Sequence, residues 1–161
     1  MSKTLVVYYS LEGSSKLVAE AIAGATGADI LRLEPIKDID ASKSTKYLWG
    51  GKDVLMRKKP ELKPFDKDPK DYEALFIGGP VWAWTFCPAV RTFVTLHKPV
   101  GKKVALFLSC GGDPKKAMLK FRKQLDGNEI VGDATFIEPV HKDTEKQVEK
   151  AKAWAKEMLA K

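Results

Sequence analysis

The stretch "VVYYSLEGSSK", residues Val6–Lys16, joins an apolar run to a helical pattern through a turn of serine and glycine residues. The N–H groups that open the following helix would point at this turn, where the helix dipole favours an anion. Two interpretations stay open: a phosphate site, and a βα turn in which Ser14 only caps the helix. Glu12 matters for the phosphate interpretation, because a carboxylate that faces the phosphate would weaken phosphate binding.

Apolar runs like the one before this turn recur along the chain. They are continuous rather than alternating, which is typical of parallel strands that are covered on both faces. Helical patterns lie between them, so the sequence predicts a doubly wound α/β sheet in a three-layer sandwich. The predicted strands are Leu5–Tyr9, Ile30–Leu33, Ala74–Gly79, Val104–Cys110 and Ala134–Val140.

The length of 161 residues predicts a single domain that spans residues 1–161. One segment, at about residues 37–64, lacks the alternation of strands and helices, and we expect it to form an irregular excursion. This segment contains Trp49 and eight Lys or Arg against four Asp or Glu, so it carries +4 of the net charge of +7.

Composition argues against several classes of function. The basic residues are scattered and mixed with acids, without a zinc motif or an aromatic RNA-binding platform, so we expect no nucleic-acid partner. No run approaches the ~18 apolar residues that span a bilayer, and the N-terminus lacks a signal-peptide pattern. We therefore expect a cytoplasmic protein without membrane insertion, whose cysteines Cys87 and Cys110 stay reduced. Their spacing predicts no metal site.

Ligands of open α/β sheets bind beyond the carboxyl ends of the strands. Three unusual loops are predicted at that edge: "SLEGSSK" (10–16), "GGPVWAWTFCP" (78–88) and "SCGGDP" (109–114). In the second loop, Trp82 and Trp84 are well placed to stack on a flat aromatic ligand, although either can instead pack under the loop. In the third, Gly111 and Gly112 allow the backbone to approach a planar ring. A mononucleotide with a large ring would suit all three loops.

Other anion-binding α/β proteins fit the sequence less well. A P-loop NTPase needs GxxxxGK[ST], whereas here Gly13 is followed by Ser-Ser-Lys. A cysteine phosphatase needs an arginine at the position that Lys116 occupies. A response regulator needs an aspartate at the end of the third strand, where Gly78 and Gly79 stand instead.

At this point the motifs resemble those of the flavodoxin family. The resemblance rests on residues Tyr8–Lys16, Trp49–Lys52, Gly78–Phe93 and Ser109–Pro114, and it extends over essentially the whole chain. It implies a five-stranded parallel sheet in the order 2-1-3-4-5 and a non-covalently bound FMN. Ser15 stands where a threonine is usual, and Ser14 where near relatives often have asparagine. Neither change excludes a phosphate, but both can alter affinity.

The resemblance also implies which residues contact the cofactor. The first loop would hold the phosphate, the second would line the ring and ribitol, and the third would close the other side. The implied residues are Ser10, Leu11, Glu12, Gly13, Ser14 and Ser15, then Pro80, Val81, Trp82, Ala83, Trp84 and Thr85, and finally Ser109, Cys110, Gly111 and Gly112. The sequence offers no catalytic triad and no metal ligands, and we interpret His97 and His141 as surface or capping residues.

The expected function is that of an FMN-binding electron carrier between redox partners. The alternative is an FMN-dependent NAD(P)H:quinone-type oxidoreductase, which would use a nicotinamide cofactor and a quinone in a pocket that Trp49 completes. A binding module that has lost FMN is a third hypothesis. The net charge of +7 predicts an acidic redox protein as partner, with an association that salt weakens.

Overall fold

The computed structural model describes residues 3–11, 13–36, 60–82, 85–112 and 114–161. In these ranges the elements are, in order, β1 (Thr4–Tyr8), α1 (Ser14–Thr26), β2 (Asp29–Arg32), a short 3-10 helix (Pro69–Asp71), β3 (Ala74–Trp82), β4 (Thr85–Phe86), α2 (Pro88–His97), β5 (Lys103–Cys110), α3 (Lys115–Gln124), β6 (Glu129–Ile137) and α4 (Thr144–Leu159). The expectations for Glu12, Ala83, Trp84 and most of the excursion, including Trp49, lie outside the described residues.

The strands form one sheet in the order β2-β1-β3-β5-β6, and all neighbours along this path are parallel. The predicted order 2-1-3-4-5 of five parallel strands is therefore confirmed, with β5 and β6 as its fourth and fifth members. β4 is an addition to the prediction. It is a two-residue strand that pairs antiparallel with the end of β3.

Helices cover both faces of the sheet, which explains the continuous apolar runs. In β1, Leu5 and Val7 belong to the core that contains the buried side chains of α2 and α3. Val6 and Tyr8 point the other way, into the core formed with α1 and α4. Because successive side chains of a strand alternate between two buried faces, both sets must be apolar. Burying each such side chain contributes about 1.5–3 kcal/mol.

The central strands β3 and β5 approach each other closely at a glycine. A Cβ on Gly78 would fall on the ring and the carbonyl oxygen of Phe107, its neighbour in β5. A glycine is therefore needed at this position. The same register brings Pro80 opposite Ser109 at the carboxyl edge of the sheet.

The last strand, β6, differs from its prediction at both ends. It begins at Glu129 rather than Ala134, because its first half is only partly buried and carries Glu129 and Asp133, which obscure the apolar pattern. It ends at Ile137 rather than Val140. Glu138 has a φ of 42° and Pro139 lacks an N–H group, so the strand cannot continue.

The helix ends follow local signals. α1 ends at Thr26, and its C-cap residue Gly27 takes a left-handed conformation with φ 71°. α3 has Pro114 at its N-cap, directly before the first helical residue. No helix in the described ranges is long and apolar enough to cross a bilayer.

Candidate functional site

The carboxyl ends of β1, β3 and β5 bring the three loops to one edge of the sheet. Tyr8 pairs with Gly78 in the register of β1 and β3, and Pro80 pairs with Ser109 in that of β3 and β5. The segments that follow these strands are therefore neighbours. Their geometry decides what this edge can bind.

The first loop opens α1 with a glycine. Gly13 is the N-cap residue, with φ 101° and ψ −10°, and its carbonyl accepts the Leu17 N–H at 3.0 Å. Ser14 is the first residue of the helix rather than its N-cap, and no described side chain caps this end. The capped-turn interpretation based on Ser14 is therefore wrong. The first N–H groups of an α-helix have no partner within it, and with the helix dipole they favour an anion.

A buried pair of hydroxyl groups joins the first and third loops. Ser15 Oγ lies 2.6 Å from Ser109 Oγ, and the two residues are only 1% and 4% exposed. The hydrogen bond connects the first turn of α1 to the end of β5. It uses one hydroxyl proton of the pair, so the second proton remains available to a ligand.

Ser10 supports the first loop through its side chain and its backbone. Its hydroxyl oxygen accepts the Gly13 N–H at 3.1 Å, and its carbonyl accepts a hydrogen bond from Arg32 Nη2 at 3.1 Å. Leu11 is half-buried and packs against the core. Arg32 is absent from the sequence-based assignment. Its place at the carboxyl end of β2, beside β1, is the signal that could have found it.

The second loop is partly a hairpin, which corrects the prediction of a loop from residue 78 to residue 88. β3 continues through Pro80 and Val81 to Trp82, and it pairs back with β4, Val81 opposite Phe86 and Trp82 opposite Thr85. Valine, tryptophan, threonine and phenylalanine all favour extended structure, which explains why the strand continues. Residues 83 and 84 alone separate the two strands in the sequence.

Trp82 is held partly by the protein itself. Its ring lies edge-on to that of Tyr9, with centroids 5.5 Å apart and planes at 88°. Trp82 is half-buried and packs against the core below α2 and α3. One expectation allowed a tryptophan to pack under the loop, and the Tyr9 contact is of that kind. The exposed part of the ring still lies at the carboxyl edge.

Thr85 places an unpartnered hydroxyl at this edge. The residue is 3% exposed, and its Oγ1 has no hydrogen-bond partner in the described part of the chain. Native proteins rarely leave a buried hydroxyl without a partner, because this costs about 1–3 kcal/mol. A bound ligand that hydrogen-bonds to Thr85 would remove the cost.

The third loop is the most open of the three. Cys110 is half-buried and its thiol donates to the Gly112 carbonyl at 3.0 Å. Gly111 and Gly112 are exposed, and a Cβ on Gly112 would meet no atom within 4 Å. There is room here for a flat group to approach the backbone.

Glu138 lies at the rim of the third loop. Its N–H donates to the Cys110 carbonyl at 3.0 Å, and its Oε1 lies 3.8 Å from the position that a Cβ on Gly111 would take. Its Oε2 pairs with Lys142 Nζ at 2.7 Å, and this hydrogen bond lowers the pKa of Glu138 and raises the pKa of Lys142. The pair therefore stays charged at neutral pH. The sequence carries no signal for Glu138, because its position depends on where β6 ends.

Taken together, these features fit a phosphate ester of a flat ring, and hence FMN. The first loop offers N–H groups and hydroxyls, the hairpin offers Trp82 and the Thr85 hydroxyl, and the third loop offers open space. No group of histidine, cysteine, aspartate and glutamate side chains in the described ranges is arranged to hold a metal ion. The assignment of individual residues to cofactor contacts stays a prediction.

Known structures resemble this fold over most or all of the chain. A flavoprotein from Lactobacillus acidophilus, in complex with FMN, has 25% identity and a TM-score of 0.73, over 84% of this chain and 93% of that one. A protein from Bacteroides eggerthii has 22% identity and a TM-score of 0.81 over 100% of both chains. Oxidised Flavodoxin 2 from Bacillus cereus has 19% identity and a TM-score of 0.61 over 99% of both. At such identities the last two show the fold alone.

The sequence itself gives the family. No curated protein sequence matches the chain. The sequence model of the family described as Flavodoxin matches residues 3–156, nearly the full length. The chain therefore belongs to the flavodoxin family.

Proposed function

We propose that the protein binds FMN at the carboxyl edge of the sheet and carries electrons between redox partners. The observation that carries this proposal is the convergence of three features at one edge. They are the uncapped start of α1, the Ser15–Ser109 hydroxyl pair and the buried, unpartnered hydroxyl of Thr85. FMN, when bound, would supply the redox chemistry.

In this proposal the protein binds and orients the cofactor. The N–H groups at the start of α1 and the hydroxyls of Ser14 and Ser15 would hold the phosphate. Trp82 would contact the ring with its exposed part, and Thr85 would donate to or accept from a polar atom of the cofactor. The backbone at Gly111 and Gly112 would approach the ring from the third loop.

The chemistry of the site favours a carrier over a reductase. Among the described residues assigned to cofactor contacts, only Cys110 has an acidic or basic side chain, and there is no carboxylate, imidazole or amine. A carrier needs no acid or base of its own, because the cofactor supplies the electron chemistry. The NAD(P)H:quinone alternative depends on a substrate pocket that Trp49 would complete, and Trp49 lies outside the described ranges.

The proposal is tested by titrating the purified protein with FMN while following absorbance and fluorescence. Uptake of one FMN per chain with quenching of its fluorescence is expected. A protein that ignores FMN would overturn the proposal. The loaded protein is then mixed with NAD(P)H and a quinone, and steady NAD(P)H oxidation by the protein alone would favour the oxidoreductase.

We also propose that the redox partner is an acidic protein that docks beside the third loop. α3 follows this loop directly and exposes Lys116, Leu119, Lys120 and Lys123 at helical spacing, so they form one stripe. Leu119 is 68% exposed. No ion pair of the three lysines is found within the described part of the chain. An exposed apolar residue flanked by exposed cations suits a partner with an acidic rim.

The positive charge at the start of α3 is unfavourable for the dipole of that helix. The first turn contains Lys116 and no acidic residue. A helix N-terminus carries a partial positive charge, and a cation there is unfavourable by about 0.3–1 kcal/mol. The helix dipole does not favour a lysine at this position, and the location of Lys116 beside the candidate site supports a role in recognition.

A further inference from the structure

We propose that Arg32 is a positioning residue that makes the site select a flavin bearing a phosphate over the same flavin without one. The inference rests on the proposed function, since it concerns the same site. It goes beyond it by naming a residue outside the three loops and the chemical group to which that residue responds.

Arg32 reaches the first loop from the neighbouring strand. It is the last residue of β2 and pairs with Tyr8, the last residue of β1. Its Nη2 donates to the Ser10 carbonyl at 3.1 Å. The contact spans 22 residues of sequence, so it ties the end of β2 to the loop after β1.

The hydrogen bonds continue from Arg32 to the start of α1. Ser10, 2% exposed, accepts the Gly13 N–H on its hydroxyl oxygen. The Gly13 carbonyl accepts the Leu17 N–H in the first turn. Arg32 thus stabilises the first loop, in which Gly13 takes the left-handed conformation. This loop geometry leaves the first N–H groups of α1 available to a ligand.

Arg32 also brings a permanent positive charge to this loop. The guanidinium stays protonated at any physiological pH, and hydrogen bonds to charged groups are stronger than neutral ones. The nearest basic residue in the loop sequence, Lys16, lies 3.9 Å from Glu20 and is partly compensated by it. The guanidinium therefore adds positive charge beside the loop that is predicted to hold the phosphate.

An arginine that only stabilised the folded protein would affect every ligand of the site in the same way. A residue that acts on the phosphate affects FMN and spares riboflavin, which has the same ring and ribityl chain without the phosphate. The ratio of the two dissociation constants separates these roles.

The test measures the dissociation constants of FMN and riboflavin by fluorescence quenching, at low and high ionic strength. The proteins are the wild type, Arg32→Gln, Arg32→Lys and Lys103→Ala. Lys103 is the matched control, because it is an exposed cation whose Nζ donates to a backbone carbonyl, that of Lys161, at the opposite edge of the sheet. Thermal unfolding of each apoprotein checks that the variants fold.

We expect Arg32→Gln to raise the dissociation constant of FMN about tenfold at low salt and that of riboflavin less than twofold. Arg32→Lys, which keeps the charge, should lie between Arg32→Gln and the wild type, and Lys103→Ala should match the wild type. At high ionic strength, the FMN dissociation constants of Arg32→Gln and the wild type should differ less than at low ionic strength. Equal losses for the two ligands, or no loss for FMN, would overturn the role of Arg32. A wild type that binds neither ligand would overturn the proposed function instead.

Discussion

Thr85 and Thr92 are both buried, and they differ in whether the hydroxyl group has a hydrogen-bond partner. Thr92 Oγ1 donates to the Pro60 carbonyl at 2.7 Å, whereas Thr85 Oγ1 has no partner in the described ranges. We predict that Thr85→Val leaves the free energy of unfolding of the apoprotein unchanged or raises it by up to about 1 kcal/mol, because it removes an unpaired polar group. The same variant should bind FMN about five- to tenfold more weakly. Urea unfolding and FMN titration measure the two effects.

Thr92→Val is the control for that prediction. It has the same change in shape but removes a hydrogen bond, so it should lose about 1 kcal/mol of stability and little affinity for FMN. A Thr85→Val variant that is less stable than the wild type and binds FMN normally would show that this hydroxyl has a partner within the protein.

Tyr72 gives a prediction about alkaline pH. Its hydroxyl donates to Asp29 Oδ2 at 2.7 Å, and this hydrogen bond, aided by burial, raises the pKa of Tyr72 to about 12. Between pH 10 and 12 the folded protein keeps a proton that the unfolded chain loses, so this contribution to stability is full below pH 10 and is lost as pH rises toward 12. Tyr72→Phe should be less stable than the wild type by about 1 kcal/mol at pH 7.

The measurement is the difference in unfolding free energy between the wild type and Tyr72→Phe from pH 7 to pH 12. The comparison cancels the titration of the many lysines, which both proteins share. The difference should shrink above pH 10 as the phenol ionises. A difference that stays constant would mean that the hydrogen bond to Asp29 does not control this tyrosine.

At the scale of elements, the Ser15–Ser109 hydrogen bond holds the start of α1 against the end of β5. Replacing either serine with alanine leaves the other hydroxyl buried and unpaired, so each single variant should lose about 1–3 kcal/mol. The double variant removes both polar groups and should lose less than the sum, with a coupling energy of about 1 kcal/mol. Urea unfolding of the four proteins measures this coupling.

Ser15→Ala combined with Thr92→Val is the matched control. Thr92 belongs to α2, on the opposite face of the sheet from α1, so these two changes should be additive within about 0.5 kcal/mol. Additivity in the serine pair as well would contradict a direct bond between α1 and β5.

The elements also show where sequence patterns are informative. β1, β3 and β5 are buried on both faces, so their apolar runs locate them within a few residues. The first half of β6 is only partly buried, so it lacks the continuous apolar run that locates the other strands. The hairpin of β3 and β4 also escapes it, because Gly78, Gly79 and Pro80 resemble a turn until the register with β5 shows that the strand passes through them.

At the scale of the whole molecule, the net charge of +7 predicts how charged redox molecules reach the site. We expect ferricyanide, a trianion, to oxidise the reduced FMN-loaded protein faster at low salt than at high salt. Replacing Lys116, Lys120 and Lys123 of α3 with glutamine should lower the low-salt rate several-fold and flatten its salt dependence. Stopped-flow absorbance measures these rates.

Three exposed lysines at the amino edge of the sheet, Lys70, Lys103 and Lys156, provide the control. Replacing them with glutamine changes the net charge by the same amount but leaves α3 intact. If the two triple variants respond equally, total charge governs the approach of the anion, and the proposed docking surface on α3 is wrong.

The sequence by itself determined the parallel α/β sheet, because buried strands and helix starts are local and periodic patterns. Its loop motifs indicated the family, and the strand order was predicted only through that resemblance. The sequence also indicated which three loops meet, since the ends of parallel strands share an edge. Tertiary structure decided the rest. Arg32 and Ser10, Ser15 and Ser109, and Glu138 and Gly111 are brought together by strand register and helix placement. The hydrogen bonds and close contacts of these pairs depend on three-dimensional distances, which cannot be read from the separation of the residues in the sequence.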